Sequence, residues 1–241
     1  MIRNLALATL ASMALLPAVF AASTTTCSGS TCTVSNDNSD FTVTYNRDEV
    51  GLFGTPGAES PVMLSNNTIF FVPDAFLARS LNGDNPPNVS ETLNLTLTAT
   101  TLNFSFDSFF LQETGDYILD GPGAEVSASG EMRVRDVENP IVEFQDSFFF
   151  SDSGDLGSQP QNWSGSTTID ATDGWFGTEN QVHLTLQNIL TADTMAMFEE
   201  AFIQKKFSGI EISVNPVPIP AAGWLMGSAL LGLFGLRRRQ A

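Results

Sequence analysis

Through most of the middle of this chain, apolar residues recur at every second position. Leu93, Leu95 and Leu97 alternate with Asn94, Thr96 and Thr98, and Val126, Ala128, Met132 and Val134 with Ser127, Ser129, Arg133 and Arg135. Val182, Leu184 and Leu186 alternate with Gln181, His183, Thr185 and Gln187, and Ile210, Ile212 and Val214 with Glu211 and Ser213. Side chains of a strand point to opposite faces in turn, so a period of two predicts half-buried strands. Further strands are predicted over residues 41–46, 68–72, 102–110, 141–150 and 164–170. Turn-forming clusters such as Asn82-Gly83-Asp84-Asn85-Pro86-Pro87 and Asp152-Ser153-Gly154-Asp155 separate them. The apolar set is odd-numbered over 93–97 and even-numbered over 102–106, so a bulge or turn near Thr100 is expected to correct the register. Many short strands with no helix repeating between them predict an all-β fold, an antiparallel β-sandwich. Residues 193–206 depart from the pattern, being rich in Met, Ala, Glu and Lys with Met195, Phe198 and Phe202 at helical spacing. They read either as a short helix followed by a strand or as strand throughout.

The two ends carry different patterns. Residues 1–21 combine Arg3, an apolar stretch over 5–19 and small residues at Val19 and Ala21, which predicts a secretory signal peptide cleaved between Ala21 and Ala22. At the other end, residues 221–236 include Trp224, Leu225, Met226, Leu230, Leu231, Leu233 and Phe234 and no charge, which predicts a single transmembrane helix. It spans only roughly 24 Å against a hydrocarbon core of about 30 Å. Arg237, Arg238 and Arg239 compensate, since cationic side chains snorkel to the headgroups and favour the cytoplasmic side. Pro216, Pro218 and Pro220 forbid helix just outside and favour an extended, accessible stretch. On these features alone, a plain C-terminal anchor on a stiff linker is the alternative to a processing signal.

Val217, Pro218, Ile219, Pro220 and Ala221, followed by the apolar helix and the arginine end, resemble the VPLPA variant of the PEP-CTERM sorting signal. Ile219 stands where the commoner residue is Leu. The resemblance covers about the last twenty-seven residues and rests on a three-part combination. It implies an exported protein of a Gram-negative bacterium, held transiently in the inner membrane and cleaved near the proline motif by an exosortase-type membrane protease. It further implies delivery to the cell surface or exopolysaccharide matrix. The chain thus divides into a signal peptide (1–21), a secreted β-sandwich (22–214) and a sorting signal (215–241), and the resemblance is silent on what the sandwich does.

Charge and cysteine content narrow the field. The 241-residue chain has a formal net charge of −17, and four of its ten cations, Arg3 and Arg237 to Arg239, belong to the targeting segments. So acidic a body repels nucleic acid and stays soluble in salt. Cys27 and Cys32 are the only cysteines and would be delivered to an oxidising compartment, which predicts a disulfide closing a small loop.

The catalytic inventory is nearly empty, and no catalytic residue is identified. His183, the sole histidine, alternates with buried-phase neighbours and should face outward. There is no nucleophile elbow, phosphate loop or zinc-protease sequence. Adjacent acids such as Glu199-Glu200 are expected by chance in so acidic a chain. Calcium is the one cofactor considered. Asp37-Asn38-Ser39-Asp40, the pair Asp152 and Asp155, and the pair Asp170 and Asp173 could turn oxygens toward a hard cation, though Asx-turns joining strands explain the same residues. Trp163, Trp175 and Phe176 could stack on sugars or fill the core. Asn66, Asn88, Asn94, Asn103 and Asn162 begin Asn-x-Ser/Thr triplets and read as composition rather than glycosylation. The favoured function is a non-enzymatic structural or adhesive protein of the surface or matrix, partnered by the sorting protease and by exopolysaccharide. A carbohydrate- or calcium-dependent binding module comes second, and a secreted hydrolase using two carboxylates third.

Overall fold

The computed structural model describes residues 23–54, 60–73, 75–84, 88–100, 104–171 and 180–216. Among them are thirteen strands: β1 (Thr24–Ser28), β2 (Thr31–Ser35), β3 (Phe41–Asn46), β4 (Met63–Ser65), β5 (Thr68–Phe71), β6 (Leu77–Leu81), β7 (Asn88–Ala99), β8 (Phe104–Asp120), β9 (Glu125–Asp136), β10 (Glu143–Ser153), β11 (Gly157–Asp170), β12 (Gln181–Asp193) and β13 (Glu200–Pro216). They form two antiparallel sheets packed as a sandwich. The seven-stranded sheet runs β1-β2-β3-β7-β12-β9-β10, and the other runs β11-β8-β13-β5-β4, with β6 also pairing with β13.

The period of two is the reason the sandwich forms. Leu93, Leu95 and Leu97 of β7, Val182, Leu184 and Leu186 of β12, and Met132 and Val134 of β9 are all buried on the inner face of the larger sheet. Phe109, Leu111 and Leu119 of β8 and Ile203, Ile210 and Ile212 of β13 are the buried residues of the smaller sheet. Aromatic pairs join the layers: Phe41 of β3 meets Phe106 of β8 edge-on at 5.8 Å. The only two cysteines are opposite each other across the β1–β2 hairpin and form the expected disulfide.

Of the bulge or turn expected near Thr100, the structure has the turn, and it carries the chain from β7 in one sheet to β8 in the other. The chain bends there, with the Thr100 backbone N–H (2.7 Å) and hydroxyl (2.9 Å) both donating to the Asp40 carbonyl. A further phase change comes within β8, at Asp107. Ser213 pairs with Ser108 and Val214 with Phe106, so Asp107 is the extra residue of a bulge, and the inward set passes from Phe106 to Phe109 and Leu111. Over 193–206 no helix forms. Residues 196–198 turn, and β13 starts at Glu200 with Ala201, Ile203 and Lys205 inward. Pairing with both β8 and β6 satisfies this backbone on two sides, which outweighs a weak helical propensity. Of Met195, Phe198 and Phe202, expected on a helix face, the first two are exposed at the turn and Phe202 is half-buried in β13.

Four short strands carry no alternation strong enough to predict them. β1 and β2 are mostly Thr and Ser, and β4 and β6 have three and five residues. The expected signal peptide (1–21) and all but the first two residues of the expected sorting signal (215–241) lie outside the described residues. Among the described residues, no helix is long and apolar enough to cross a membrane.

Candidate functional sites: a polar row outside and an ionic cluster within

The outer face of the larger sheet is assembled by register. Thr33 of β2 stands opposite Thr44 of β3, Thr44 opposite Thr96 of β7, Thr96 opposite His183 of β12, and His183 opposite Arg135 of β9. Five strands, each about 4.8 Å from the next, therefore place hydroxyl, hydroxyl, hydroxyl, imidazole and guanidinium in one row. One step along the strands a second row places Asn94 opposite Thr185 and Thr185 opposite Arg133. The rows line a depression of about 360 Å³ bordered by Thr44, Asn94, Thr96, Arg135, His183 and Thr185.

Hydrogen bonds hold these side chains in place. The Thr96 hydroxyl is 3.0 Å from His183 Nδ1, the Thr185 hydroxyl donates to Asn94 Oδ1 at 2.9 Å, and the Thr33 and Thr44 hydroxyls are 3.1 Å apart. Arg133 ion-pairs with Glu131, while Arg135 makes no ion pair among the described residues. The result is a solvent-facing patch of donors and acceptors with a cationic edge on an otherwise acidic protein. Its chemistry suits a hydroxyl-rich ligand, and a guanidinium there can grip a carboxylate through two parallel N–H bonds.

A second constellation lies between the sheets. Glu113 of β8, Asn188 of β12, and Lys205 and Ser208 of β13 are each at most 1 % exposed. Glu113 Oε2 accepts from Asn188 Nδ2 at 2.8 Å and lies 2.7 Å from Lys205 Nζ, and Oε1 accepts from the Ser208 hydroxyl at 3.0 Å. The Phe53 and Phe76 rings stand 5.1 and 5.0 Å from Nζ. Burial pushes the Lys205 ammonium down to about 8 even though the Glu113 carboxylate works to raise it. Despite the short ion pair, Nζ lacks well-angled hydrogen bonds, and Asn188 Oδ1 has no hydrogen-bond partner among the described residues.

This cluster carries no motif, yet the sequence holds a signal for it. Asn188 occupies the inward phase of β12 between Leu186 and Leu190, and Glu113 the inward phase of β8 after Leu111. Lys205 follows Ala201 and Ile203 in the inward phase of β13, just before a register shift between Lys205 and Phe207 restarts that phase at Ser208. Three polar interruptions of apolar phases, each by a residue costly to bury alone, mark groups that must meet one another.

The other candidate residues are dispersed over the fold. Trp163 is 2 % exposed, stacks on Phe150 and donates its indole N–H to the Gln204 carbonyl at 3.0 Å, so it is a core residue and not a sugar platform. Trp175, Phe176 and Asp173 lie outside the described residues. Asp152 accepts from the Tyr117 hydroxyl of β8 and from the Ser153 N–H, while Asp155 accepts from the Gly157 N–H and Asn36 Oδ1 from the Asn38 N–H, as in turns. Asp170 is exposed at the end of β11. Among the described residues, no group of three or more His, Cys, Asp or Glu is placed to hold a metal ion. His183 faces outward as expected. Glu199 and Glu200 do not act as a pair: Glu199 binds the backbone N–H groups of Gly123, Met195 and Ala196, and Glu200 ion-pairs with Arg79.

No family model and no curated protein matches this chain. Among solved structures it is distantly similar to the CBM22-1–GH10 modules of a Clostridium thermocellum endo-1,4-β-D-xylanase complexed with xylohexaose, at 14 % identity and a TM-score of 0.27, over 64 % of this chain and 27 % of that one. It is also similar to the module TmCBM61 in complex with β-1,4-galactotriose, at 10 % identity and a TM-score of 0.21, over 73 % and 86 % of the two chains. A third likeness is to the structure of infectious bursal disease virus Gx strain, at 9 % identity and a TM-score of 0.29, over 88 % and 60 %.

Proposed function

We propose that this chain is an exported, non-enzymatic β-sandwich of the cell surface or matrix that binds polysaccharide through the outer face of its seven-stranded sheet. The observation that carries the reading is the cross-strand row Thr44, Thr96, His183 and Arg135, which offers ordered hydroxyl, imidazole and guanidinium groups on a rigid surface. A site built on paired strands stays preorganised, so less ordering entropy opposes binding. Delivery by the terminal signals belongs to the same reading, with an exosortase-type protease as the processing partner.

The test is a glycan array probed with the folded protein and with His183→Ala and Arg135→Ala. Each substitution removes an exposed side chain and should leave the fold unchanged by circular dichroism. Binding to one class of polysaccharide, weakened about tenfold or more by either change, is the expected result, equivalent to about 1.4 kcal/mol. Retention by uronate-containing glycans that is lost specifically with Arg135→Ala would assign the carboxylate grip. Binding indifferent to both substitutions, or none to any glycan, would overturn the reading.

A further inference from the structure

We propose that Lys205 and Asn188 join in an intramolecular isopeptide bond, promoted by Glu113, that ties the two sheets of the sandwich together covalently. This goes beyond the reading of the outer face and does not depend on it.

The geometry has the parts of an amide-transfer reaction. A nucleophile, Lys205 Nζ, and a carboxamide, Asn188, both touch one oxygen, Glu113 Oε2, at 2.7 and 2.8 Å. Holding two reactants against a common group turns a bimolecular step into a unimolecular one. The three residues come from three strands in two sheets, so they meet only once the sandwich has closed. Phe53 and Phe76 stand over the amine, and none of the three side chains reaches solvent, so water cannot compete as nucleophile. Asn188 has little room to escape: a Cβ on Gly130 would lie 2.8 Å from its Nδ2, which also donates to the Ser129 carbonyl at 3.2 Å. Its Oδ1 has no hydrogen-bond partner among the described residues.

The step balances without an outside reagent. Lys205 passes one proton from its ammonium to Glu113, leaving a neutral amine, the form that burial already favours. The amine lone pair attacks Cγ of Asn188 and a C–N bond forms. Glu113, now a carboxylic acid, gives its proton to Nδ2 and takes one from the attacking nitrogen, acting as acid and then as base. The Cγ–Nδ2 bond breaks and ammonia leaves with the two amide hydrogens and one hydrogen from lysine. The second lysine proton stays on Glu113, which ends as a neutral carboxylic acid, and nothing is oxidised or reduced. A secondary amide and a neutral acid then stand in place of a buried ion pair, whose charges are costly to desolvate.

Mass spectrometry of the intact protein and its peptides is the test. The full chain, produced with its leader and purified folded, is reduced and digested. The expected result is a branched peptide joining Lys205 to Asn188, with a mass lower by one ammonia than its two parts. Glu113→Gln and Lys205→Met should each abolish the branched peptide and restore the full mass. Free Lys205 and Asn188 peptides at full yield from the folded wild-type protein would overturn the proposal. So would an ammonia loss mapped to another asparagine, or a branched peptide that persists in folded Glu113→Gln. The wild-type digest suffices on its own to support or overturn the bond, even where a variant fails to fold.

Discussion

Glu199 illustrates how one side chain organises the turn between two sheets. Its carboxylate accepts from the backbone N–H groups of Gly123 at 2.7 Å and of Met195 and Ala196 at 2.9 Å, joining the β8–β9 turn to the β12–β13 turn. The Gly123 N–H is the largest cause holding its carboxyl below the ordinary value of 4.5, with the other two N–H bonds adding to it. A depressed folded value means that the unfolded chain takes up the proton first. Glu199 therefore stabilises the fold above its unfolded value, and that contribution is lost as pH falls through the folded one. Glu199→Gln should lower the melting temperature at pH 7 and make the fall in stability below about pH 4.5 shallower than in wild type. Parallel slopes in the two proteins would refute this role. At this scale the sequence exposed little of the chemistry. Trp163 reads in the sequence as a core residue or as a sugar platform, and burial against Phe150 of β10 decides for the core.

Among the elements, the longest contact is between β8 and β13, and it depends on one residue having no side chain. A Cβ on Gly115 would fall 1.9 Å from the Gln204 carbonyl oxygen and 2.4 Å from Trp163 Nε1. The first neighbour is backbone and cannot rotate away. Gly115→Ala should therefore destabilise the protein by about 1–3 kcal/mol or more, read by chemical denaturation. Gly154→Ala is a control of a different kind, since its left-handed φ of +107° strains a Cβ that meets nothing within 4 Å. Equal stability of Gly115→Ala and wild type would show that the strands can separate locally. The alternation of apolar residues made the long strands legible because one face of each is buried. It left out β1 and β4, whose few residues are held by pairing with neighbours rather than by an apolar face of their own. It also could not reveal that a further change of phase lies at Asp107, since a bulge shows itself only against the partner strand.

For the molecule as a whole, the class of fold was legible and the order of its strands was not. Consecutive strands β7 and β8 lie in different sheets, while β12, distant in sequence, enters between β7 and β9. Nothing local in Val182, Leu184 and Leu186 says which neighbours they will have. The depression on the outer face inherits that gap, since Thr44, Thr96, His183 and Arg135 become adjacent only through this order. The proposed processing also belongs at this scale. Protein collected from the surface of a producing cell that carries an exosortase should lack the Arg237-Arg238-Arg239 end when its C-terminal peptide is sequenced by mass spectrometry. An intact end on the surface-exposed protein would refute the sorting reading.

The course of β13 has a mechanical meaning. This strand sits inside its sheet, pairs with β8 from Glu200 to Pro216, and leads straight into the proline-rich segment that follows. Tension entering the domain through Pro216 along the strand axis would load many ladder hydrogen bonds side by side, as in a lap joint, instead of peeling them off one at a time. Resistance to such pulling is set by the unfolding rate rather than by equilibrium stability. If the proposed C-terminal signal attaches the protein to the surface, pulling through it would load the sandwich in this shearing direction.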